Sequence, residues 1–396
     1  MQKKLYIYSN FDFTKNSAGK TRMLYYAKAL AKEHVEVYLV SCCSNPIQQT
    51  DFNEVDTNIW VHTDKKDTKS FFGTIKFLRN LYQFTVEQPA DNSFLFYPSP
   101  LVYLEILSIV YLKGIKRQRV FNELNEIRKY SSAYEGKYNL RNPLYSFKKL
   151  LFKITFSLIQ VLLKSYSGLI CISTAIQKYG MKYNDHTLRV PILTDPFNKV
   201  ETSNLAYADN AKFNIGFSGS IKPFKENLGN FKQVLSNLGE LGYNIQFNLC
   251  GPVDPVYKKC LFDIPKESSN ITMVYHGNLN TKDLNTFLSQ QDLLVIPRGY
   301  TLQNHYGFST KLSDYLNQKK IVLLTDVSDN ALFIEDGING FIVPPDDNDS
   351  MQTKLAYIID NFENISKTIC ANAEKTSINS FYYKNYAEDL KNFLFV

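Results

Sequence analysis

Basic residues and glycine gather at two points in the C-terminal half of the sequence. In the first, FNIGFSGSIKPFKENLGNF, Gly219, Lys222 and Lys225 lie between a strand-like run and a helical one. In the second, from Leu293 to Thr325, a buried strand ends at Arg298 and a polar loop leads to a helix start. Lysine and arginine head groups pair with phosphate oxygens, and glycine lets the backbone approach a ligand closely. The two segments together predict a site for a phosphate-bearing ligand.

The helix start in the second segment adds further candidate groups. Ser309 or Thr310 is placed to cap the helix, whose free amide groups and dipole favour an anion such as a diphosphate. Lys311 adds a cation, and Asp314, one turn further in, could accept hydrogen bonds from two ribose hydroxyls. A solvated helix face is the alternative interpretation of Lys311 and Asp314.

The second segment, IPR followed by GFSTKLSDYL, resembles the donor-site motif of retaining GT-B glycosyltransferases of family 4, the glycosyl transferases group 1. In that motif a glutamate is followed, after seven residues, by a second acid. Asp314 falls on the second acid, to which the resemblance assigns the nucleotide ribose. Tyr306 falls on the first, and is the candidate for the contact with the donor sugar in the catalytic centre.

The first segment resembles the diphosphate-binding region of the same family. Gly219 matches the family's glycine and Lys225 its lysine, whereas Ser220 stands where the family has arginine. Lys222 and Arg298 are the candidates for supplying the missing charge.

The resemblance covers most of the chain and is strongest from about residue 213 to residue 347. It implies an α/β fold of GT-B type, with two Rossmann-like doubly wound parallel-sheet domains facing a cleft. It also implies a nucleotide diphosphate sugar as donor substrate, a saccharide or lipid-linked acceptor, transfer with retention, and neither a cofactor nor a metal. Two alternatives stay open: a nucleotide-sugar epimerase of the same fold, and a catalytically silent GT-B partner subunit.

Two segments of the N-terminal half carry further candidate residues. Gly-Lys-Thr at the start of a helix invites a P-loop interpretation, but Thr14 stands where that motif requires glycine. The resemblance instead assigns Gly19 to a close approach of the backbone to the donor. In FNELNEIRKY, Glu123 and Glu126 follow a strand and are candidates for meeting an acceptor hydroxyl, with a surface or helix-capping role as the alternative.

Short β-rich runs alternate with helical stretches in both halves of the chain, which predicts βαβ units and parallel sheets. The polar stretch 198–212 interrupts the alternation and predicts a linker between a domain at 1–198 and a nucleotide-sugar-binding domain at 210–377. Residues 379–396 have helical spacing, and we expect them to pack back on the first domain. A ligand cleft is expected at the carboxyl ends of the strands.

The charge balance narrows the choice of partners. Lysine and arginine number 45 against 38 acidic residues, a net charge of +7 that suits a phosphate-bearing ligand or an anionic membrane surface. The excess is too small to predict nucleic-acid binding. The six cysteines have no metal-ligand spacing, and the N-terminus enters a strand-like run at once, so we expect reduced thiols and a cytoplasmic protein.

Two apolar stretches, 101–112 and 154–163, are each shorter than the roughly 20 residues that a membrane span needs. The second belongs to the amphipathic segment NPLYSFKKLLFKITFSLIQVLLKSY, for which a core helix is the simpler interpretation. The alternative is peripheral docking at the inner face of a membrane, in which Lys148, Lys149 and Lys153 would meet anionic lipid beside phenylalanine and leucine side chains.

Overall fold

A computed structural model describes most of the chain: residues 2–9, 13, 18–41, 45–62, 71–97, 119–130, 143–198, 201–209, 211–222, 225–262 and 270–396. The chain divides into two compact units. Unit 1 comprises Met1–Leu193 and Tyr383–Val396, and unit 2 comprises Thr194–Tyr382. The chain therefore passes between the units twice.

Unit 1 is built on an eight-stranded sheet with the order β3-β4-β2-β1-β5-β6-β7-β8. All neighbouring strands are parallel except β3 and β4, which form an antiparallel pair at one edge. The central strands are apolar runs buried on both faces, as a sheet covered by helices requires. Its strands are β1 (Lys4–Ser9), β2 (Glu36–Ser41), β3 (Phe52–Asp56), β4 (Ile59–His62), β5 (Ser93–Phe96), β6 (Arg119–Leu124), β7 (Gly168–Cys171) and β8 (Thr187–Arg189), and the helices that accompany them are α1 (Ala18–Lys32), α2 (Phe71–Glu87), α3 (Pro143–Leu162) and α4 (Thr174–Gly180).

Unit 2 is built on a six-stranded, wholly parallel sheet with the order β11-β10-β9-β12-β13-β14. Its core consists of side chains from the sheet and from the helices packed on it, such as Phe217, Phe247 and Leu355. The strands are β9 (Phe213–Ser218), β10 (Ile245–Cys250), β11 (Ile271–Tyr275), β12 (Leu293–Ile296), β13 (Ile321–Thr325) and β14 (Phe341–Val343), and the helices are α5 (Leu228–Glu240), α6 (Pro255–Phe262), α7 (Thr281–Ser289), α8 (Leu302–Tyr306), α9 (Thr310–Asn317), α10 (Asn330–Phe333) and α11 (Asn348–Thr376).

The segment beyond α11 returns to unit 1, where it forms helix α12 (Ala387–Phe395). The Phe393 ring stacks on His186 at 4.2 Å between centroids and lies 5.3 Å from the Phe121 ring on β6. Ser93 on β5 donates a hydrogen bond to the carbonyl oxygen of Leu394. Helix α12 therefore supplies part of the core of unit 1.

The prediction of two α/β units with doubly wound, mainly parallel sheets is confirmed. Within the described part of the chain, every helix is too short or too polar to cross a membrane. The apolar stretch 101–112 lies outside the described residues. The stretch 154–163 forms the C-terminal part of α3 and the first residue of the short turn that follows it. Cys171 on β7 and Cys250 on β10 are 0% and 2% exposed.

Candidate functional site

The strand order of unit 2 changes direction between β9 and β12, which lie side by side in the sheet. In an open parallel sheet, ligands bind beyond the carboxyl ends of the strands at such a switch point. Gly219 and Ser220 follow β9 directly, and Arg298 follows β12. The structure therefore brings together, at this edge, the two segments that the sequence predicted to bind phosphate.

Position 219 requires glycine because the side chain of Lys311 packs directly against its Cα atom. Its φ is +141°, and a Cβ atom there would collide with the Cε atom of Lys311. Gly251, after β10, has a φ of +119°, and a Cβ atom there would collide with the carbonyl oxygen of Gly219. Only glycine adopts such φ values without strain. The two glycines let the loops after β9 and β10 pack closely and let Lys311 reach over them.

A buried carboxylate, Glu226, holds the two cations of the site. Lys311 Nζ lies 2.7 Å from Glu226 Oε1, and Arg298 Nη2 lies 3.1 Å from the same oxygen. Arg298 Nε contacts Oε2 at 3.3 Å, so the guanidinium grips the carboxylate with two bonds. Glu226 is 1% exposed and Arg298 4% exposed. The alternative interpretation of a solvated helix face is therefore wrong for Lys311. The cluster carries one positive charge in excess.

The protonation of this cluster reflects both burial and charge. Burial opposes ionisation of Glu226, but the charges of Arg298 and Lys311 outweigh it and hold the pKa of the carboxyl well below its ordinary value. Burial lowers the pKa of Lys311 to about 8, against the opposing attraction of Glu226. Lys311 is thus a cation that sits close to its titration range at neutral pH.

The N-terminus of α9 opens beside these cations. Ser309 occupies the N-cap position, but its side chain makes no capping hydrogen bond, so the prediction that Ser309 caps the helix is wrong. Its Oγ atom is buried and has no hydrogen-bond partner among the described residues. Thr310 is exposed in the first turn. First-turn amides without a capping side chain can bind an anion.

Asp314 lies one turn further along α9 and is exposed at the surface of the helix. Protein atoms packed around its carboxyl group displace water and raise its pKa to about 7, against the attraction of Lys311. The next residue, Tyr315, is buried, and its hydroxyl accepts a hydrogen bond of 2.9 Å from the backbone amide of Ser218. This bond fixes α9 against the end of β9. Sequence reasoning missed Tyr315, because its apolar ring gives no sign that the hydroxyl has a partner 97 residues away.

The remaining predicted residues of unit 2 surround this centre. Lys222 is exposed, while Ser220, Lys225 and Tyr306 are half-buried. Asn304, which sequence reasoning missed, is 1% exposed and donates hydrogen bonds of 2.9 Å to the carbonyl oxygens of Lys225 and Gly299. It thereby joins the loop after β9 to the loop after β12. The structure places Tyr306 at the end of α8, its ring centroid 5.0 Å from that of His305.

In unit 1, Glu123 is not open to an acceptor, which corrects the expectation from the sequence. It is fully buried on β6, where Arg22 Nε lies 2.5 Å from Oε1 and the Tyr26 hydroxyl donates to Oε2 at 3.1 Å. Arg22 also donates to the carbonyl oxygens of Val190 and Pro191. Every group of this cluster has a protein partner, so Glu123 fastens α1 to the sheet.

Glu126, by contrast, is exposed and lines a small pocket between the loop after β6 and α3. Arg128 and Lys129 form its polar side, and Phe156 and Ile159 its apolar side. Gly19 is the second residue of α1 and is half-buried, and residues 14–17 before it lie outside the described part of the chain.

As for metal ligands, the described residues include no group of three or more His, Cys, Asp or Glu side chains placed to hold an ion. At the switch point the structure places three charged side chains, those of Glu226, Arg298 and Lys311. The two cations can bind a diphosphate and stabilise negative charge.

Comparison with known proteins points in the same direction. Residues 212–361 match the model of the family described as glycosyl transferases group 1, and this stretch contains every site residue of unit 2 named above. No curated protein sequence matches the chain.

Solved structures match the whole chain in fold. Sucrose-phosphate synthase from Thermosynechococcus elongatus superposes with a TM-score of 0.70 at 14% identity, over 99% of this chain and 98% of that one. HepE (Alr3699) from Anabaena, in complex with UDP, gives 0.66 at 12% identity over 100% and 99%. WaaG, a glycosyltransferase involved in lipopolysaccharide biosynthesis, gives 0.64 at 12% identity over 99% of both chains. The fold is that of the GT-B glycosyltransferases.

Proposed function

We propose that this protein is a glycosyltransferase that moves a sugar from a nucleotide diphosphate sugar to a hydroxyl acceptor. The observation that carries the proposal is the excess positive charge of Lys311 and Arg298 around Glu226, next to the uncapped N-terminus of α9. This charge lies at the switch point of the sheet in the part of the chain that matches the glycosyltransferase family.

The chemistry follows from the charges. When the bond to the sugar breaks, negative charge develops on the departing nucleoside diphosphate. Lys311, Arg298 and the amides of α9 would stabilise that charge from fixed positions, and Lys222 and Lys225 would add charge from the loop after β9. Asp314 would hold the ribose through its carboxylate, and Tyr306 would border the donor sugar. Transfer would proceed with retention, which NMR analysis of the product anomer tests.

Donor turnover tests the proposal directly. HepE was solved with UDP and with UDP-glucose, so UDP-sugars are the first donors to try. The purified protein should release nucleoside diphosphate from one such donor when a saccharide acceptor is present. Interconversion of the sugar without release of nucleoside diphosphate would instead indicate an epimerase. Donor binding without any turnover would indicate a catalytically silent subunit.

We expect the activity to survive a chelator, because protein cations are assigned the role that a metal plays in other transferases. The initial rate should stay the same with and without EDTA. Complete loss in EDTA, reversed by Mg²⁺ or Mn²⁺, would contradict the mechanism.

Replacing Asp314 by alanine should weaken nucleoside diphosphate binding by roughly 1.5–3 kcal/mol, the range for hydrogen bonds to a charged group. Isothermal titration calorimetry measures the difference. Glu240→Ala is the matched control, since Glu240 is another exposed acid of unit 2, on α5. Equal affinity of the two variants would remove Asp314 from the site.

The acceptor is assigned to unit 1, where the pocket beside Glu126 offers charged and apolar walls. Its apolar wall is α3, and the opposite side of α3 is unusual for a core helix. Large apolar side chains recur there every three or four residues and are 46–64% exposed: Phe147, Leu150, Leu151, Ile154, Leu158 and Val161. This stripe is exposed in the folded chain and suits shallow insertion into a lipid surface.

The charge beside the stripe suits anionic lipid. Lys153 and Lys164 are exposed, whereas Lys149 is only 7% exposed, so the expectation that Lys149 meets lipid is wrong. The side chain of Lys148 lies outside what the structure describes. We therefore assign a peripheral contact with an anionic membrane, where a lipid-linked acceptor would be found.

Vesicle sedimentation tests this contact. The protein should bind anionic but not neutral vesicles, and binding should weaken as salt rises. Each basic residue near such a surface contributes on the order of 1 kcal/mol, so Lys153→Glu with Lys164→Glu should release the protein. Lys259→Glu with Lys282→Glu, exposed lysines of unit 2, is the control with the same net charge. Equal loss of binding in both variants would show that only the total charge matters.

A further inference from the structure

Glu226 stands between the two cations assigned to the donor diphosphate. Lys311 and Arg298 both contact its Oε1 atom, at 2.7 and 3.1 Å, so their charged nitrogens lie close together. Two buried cations at such a distance repel each other unless a carboxylate separates them. The alternative interpretation is that the Glu226 carboxylate occupies the position of the diphosphate and moves away when the donor binds.

The backbone around Glu226 is fixed on both sides. The carbonyl oxygen of Lys225 accepts a bond from the buried Asn304, and Asn227 has a φ of +45°, which is uncommon outside glycine. Asn227 Nδ2 donates to Asp346 Oδ1 at 3.1 Å, and Asp346 Oδ2 accepts from the Tyr300 amide at 2.7 Å. A carboxylate that moved away when the diphosphate bound would not need a fixed backbone. A carboxylate that positions two cations does need one.

We propose that Glu226 is a positioning residue of the donor site, whose carboxylate holds Lys311 and Arg298 in the arrangement that receives the diphosphate. The inference rests on the proposed function. Glu226 remains in place when the donor binds, because the cluster keeps one positive charge in excess for the ligand.

The position of Glu226 also controls the charge of Lys311. The charged groups that face Lys311 are Glu226 and Lys225 from the loop after β9, Arg298 after β12, and Asp314 on its own helix. Burial lowers the pKa of Lys311 to about 8, Glu226 raises it, and Arg298 and Lys225 lower it. Without the charge of Glu226, Lys311 would lose its proton at a lower pH and would no longer attract the diphosphate.

The test is a pH series of calorimetric titrations of the full chain with UDP, GDP, ADP and dTDP, from about pH 7.5 upwards, where the terminal phosphate is almost fully ionised. In the wild type, affinity should fall by up to about tenfold for each pH unit above about 8, because Lys311 deprotonates. In Glu226→Gln the affinity should be at least about tenfold weaker at pH 8, and its decline should begin at a lower pH. Glu226→Gln with Lys311→Arg should bind without this decline, because arginine stays protonated.

Two further variants keep the result interpretable. Glu374→Gln removes an exposed partner of Lys319 in the same unit and should leave the profile unchanged. If Glu226→Gln fails to fold, Glu226→Asp replaces it: the retained charge should preserve the pH at which affinity declines, while the shorter side chain weakens binding.

The outcomes distinguish failure of the proposed donor site from failure of the role assigned to Glu226. Failure of the wild type to bind any of the four probes overturns the donor site and this inference with it. Wild-type binding combined with tighter or unchanged binding by Glu226→Gln overturns only the role of Glu226. Unchanged affinity in Glu226→Asp does the same.

Discussion

Each unit buries a glutamate against an arginine, but the two clusters differ in their charge balance. In unit 1, Glu123 faces one cation, Arg22, whose remaining donors bind backbone carbonyls. In unit 2, Glu226 faces two cations, Arg298 and Lys311. The first cluster is neutral and its polar groups are paired, whereas the second contains one more cation than carboxylate.

The N-termini of helix α4 in unit 1 and helix α9 in unit 2 also differ. Ser173 caps α4 in unit 1, and its Oγ atom accepts from the Ile176 amide at 3.2 Å. Ser309 stands at the equivalent position of α9 in unit 2 without making that bond. Buried polar groups in proteins normally have hydrogen-bond partners. Where a buried polar group has none, a bound ligand can supply the partner. The comparison distinguishes a structural cluster from a binding site.

The largest effect is expected from Glu123→Gln. Removing one partner of a buried ion pair costs about 3–5 kcal/mol, because Arg22 is left buried without its counter-ion. Hydrogen exchange of the β1 and β6 amides measures the loss within unit 1. Glu36→Gln, which breaks the partly exposed pair with Lys4, should cost under about 1 kcal/mol. Equal effects of the two changes would show that the Arg22 cluster does not stabilise unit 1.

An intermediate effect of a different kind is expected from Lys311→Met. Glu226 stays paired with Arg298 through two bonds, so unit 2 should remain folded. Binding of the nucleoside diphosphate should weaken by roughly 1.5–3 kcal/mol, as measured by calorimetry. The control is Lys319→Met, which removes an exposed ion pair of unit 2. A large loss of stability with unchanged affinity would make this cluster structural, like that of unit 1.

The smallest expected effect is a change in helix stability that differs between Ser173 and Ser309. Ser173→Ala should destabilise α4 by about 1 kcal/mol, the usual cost of losing an N-cap. Ser309→Ala should leave the stability of α9 nearly unchanged, because the hydroxyl makes no capping bond. Hydrogen exchange of the first-turn amides reports on both helices. Equal destabilisation of the two would remove the contrast between the units.

The sequence was sufficient for the fold and for naming the two segments that meet at the candidate site. Alternating strand and helix patterns predicted the two parallel sheets, and the glycine and basic residues after β9 and β12 predicted the position of the site. Glu226, Asn304 and Tyr315 were missed because their roles depend on partners about 70–100 residues away. A glutamate beside Lys225 has the same local pattern as a solvated helix start, and only the fold places it between two cations.

The assignment of Glu123 failed for the same physical reason. The position of the residue at the end of β6 suggested contact with a substrate, yet its partner, Arg22, lies on α1, 101 residues earlier. Nothing local distinguishes a carboxylate that meets a ligand from one that meets the protein. The antiparallel β3–β4 pair was likewise not predicted. Polar and apolar residues alternate in its short strands as they also do in parallel edge strands.

The return of the chain to unit 1 after residue 382 has a consequence for the order of synthesis. Unit 2 is contiguous in sequence, and its two ends are joined by a bridge between Thr194 and Tyr382. It can therefore fold as soon as it leaves the ribosome. Unit 1 waits for α12, whose Leu390 and Leu394 are almost fully buried in its core. The half of the protein that is made first is thus the half that is completed last.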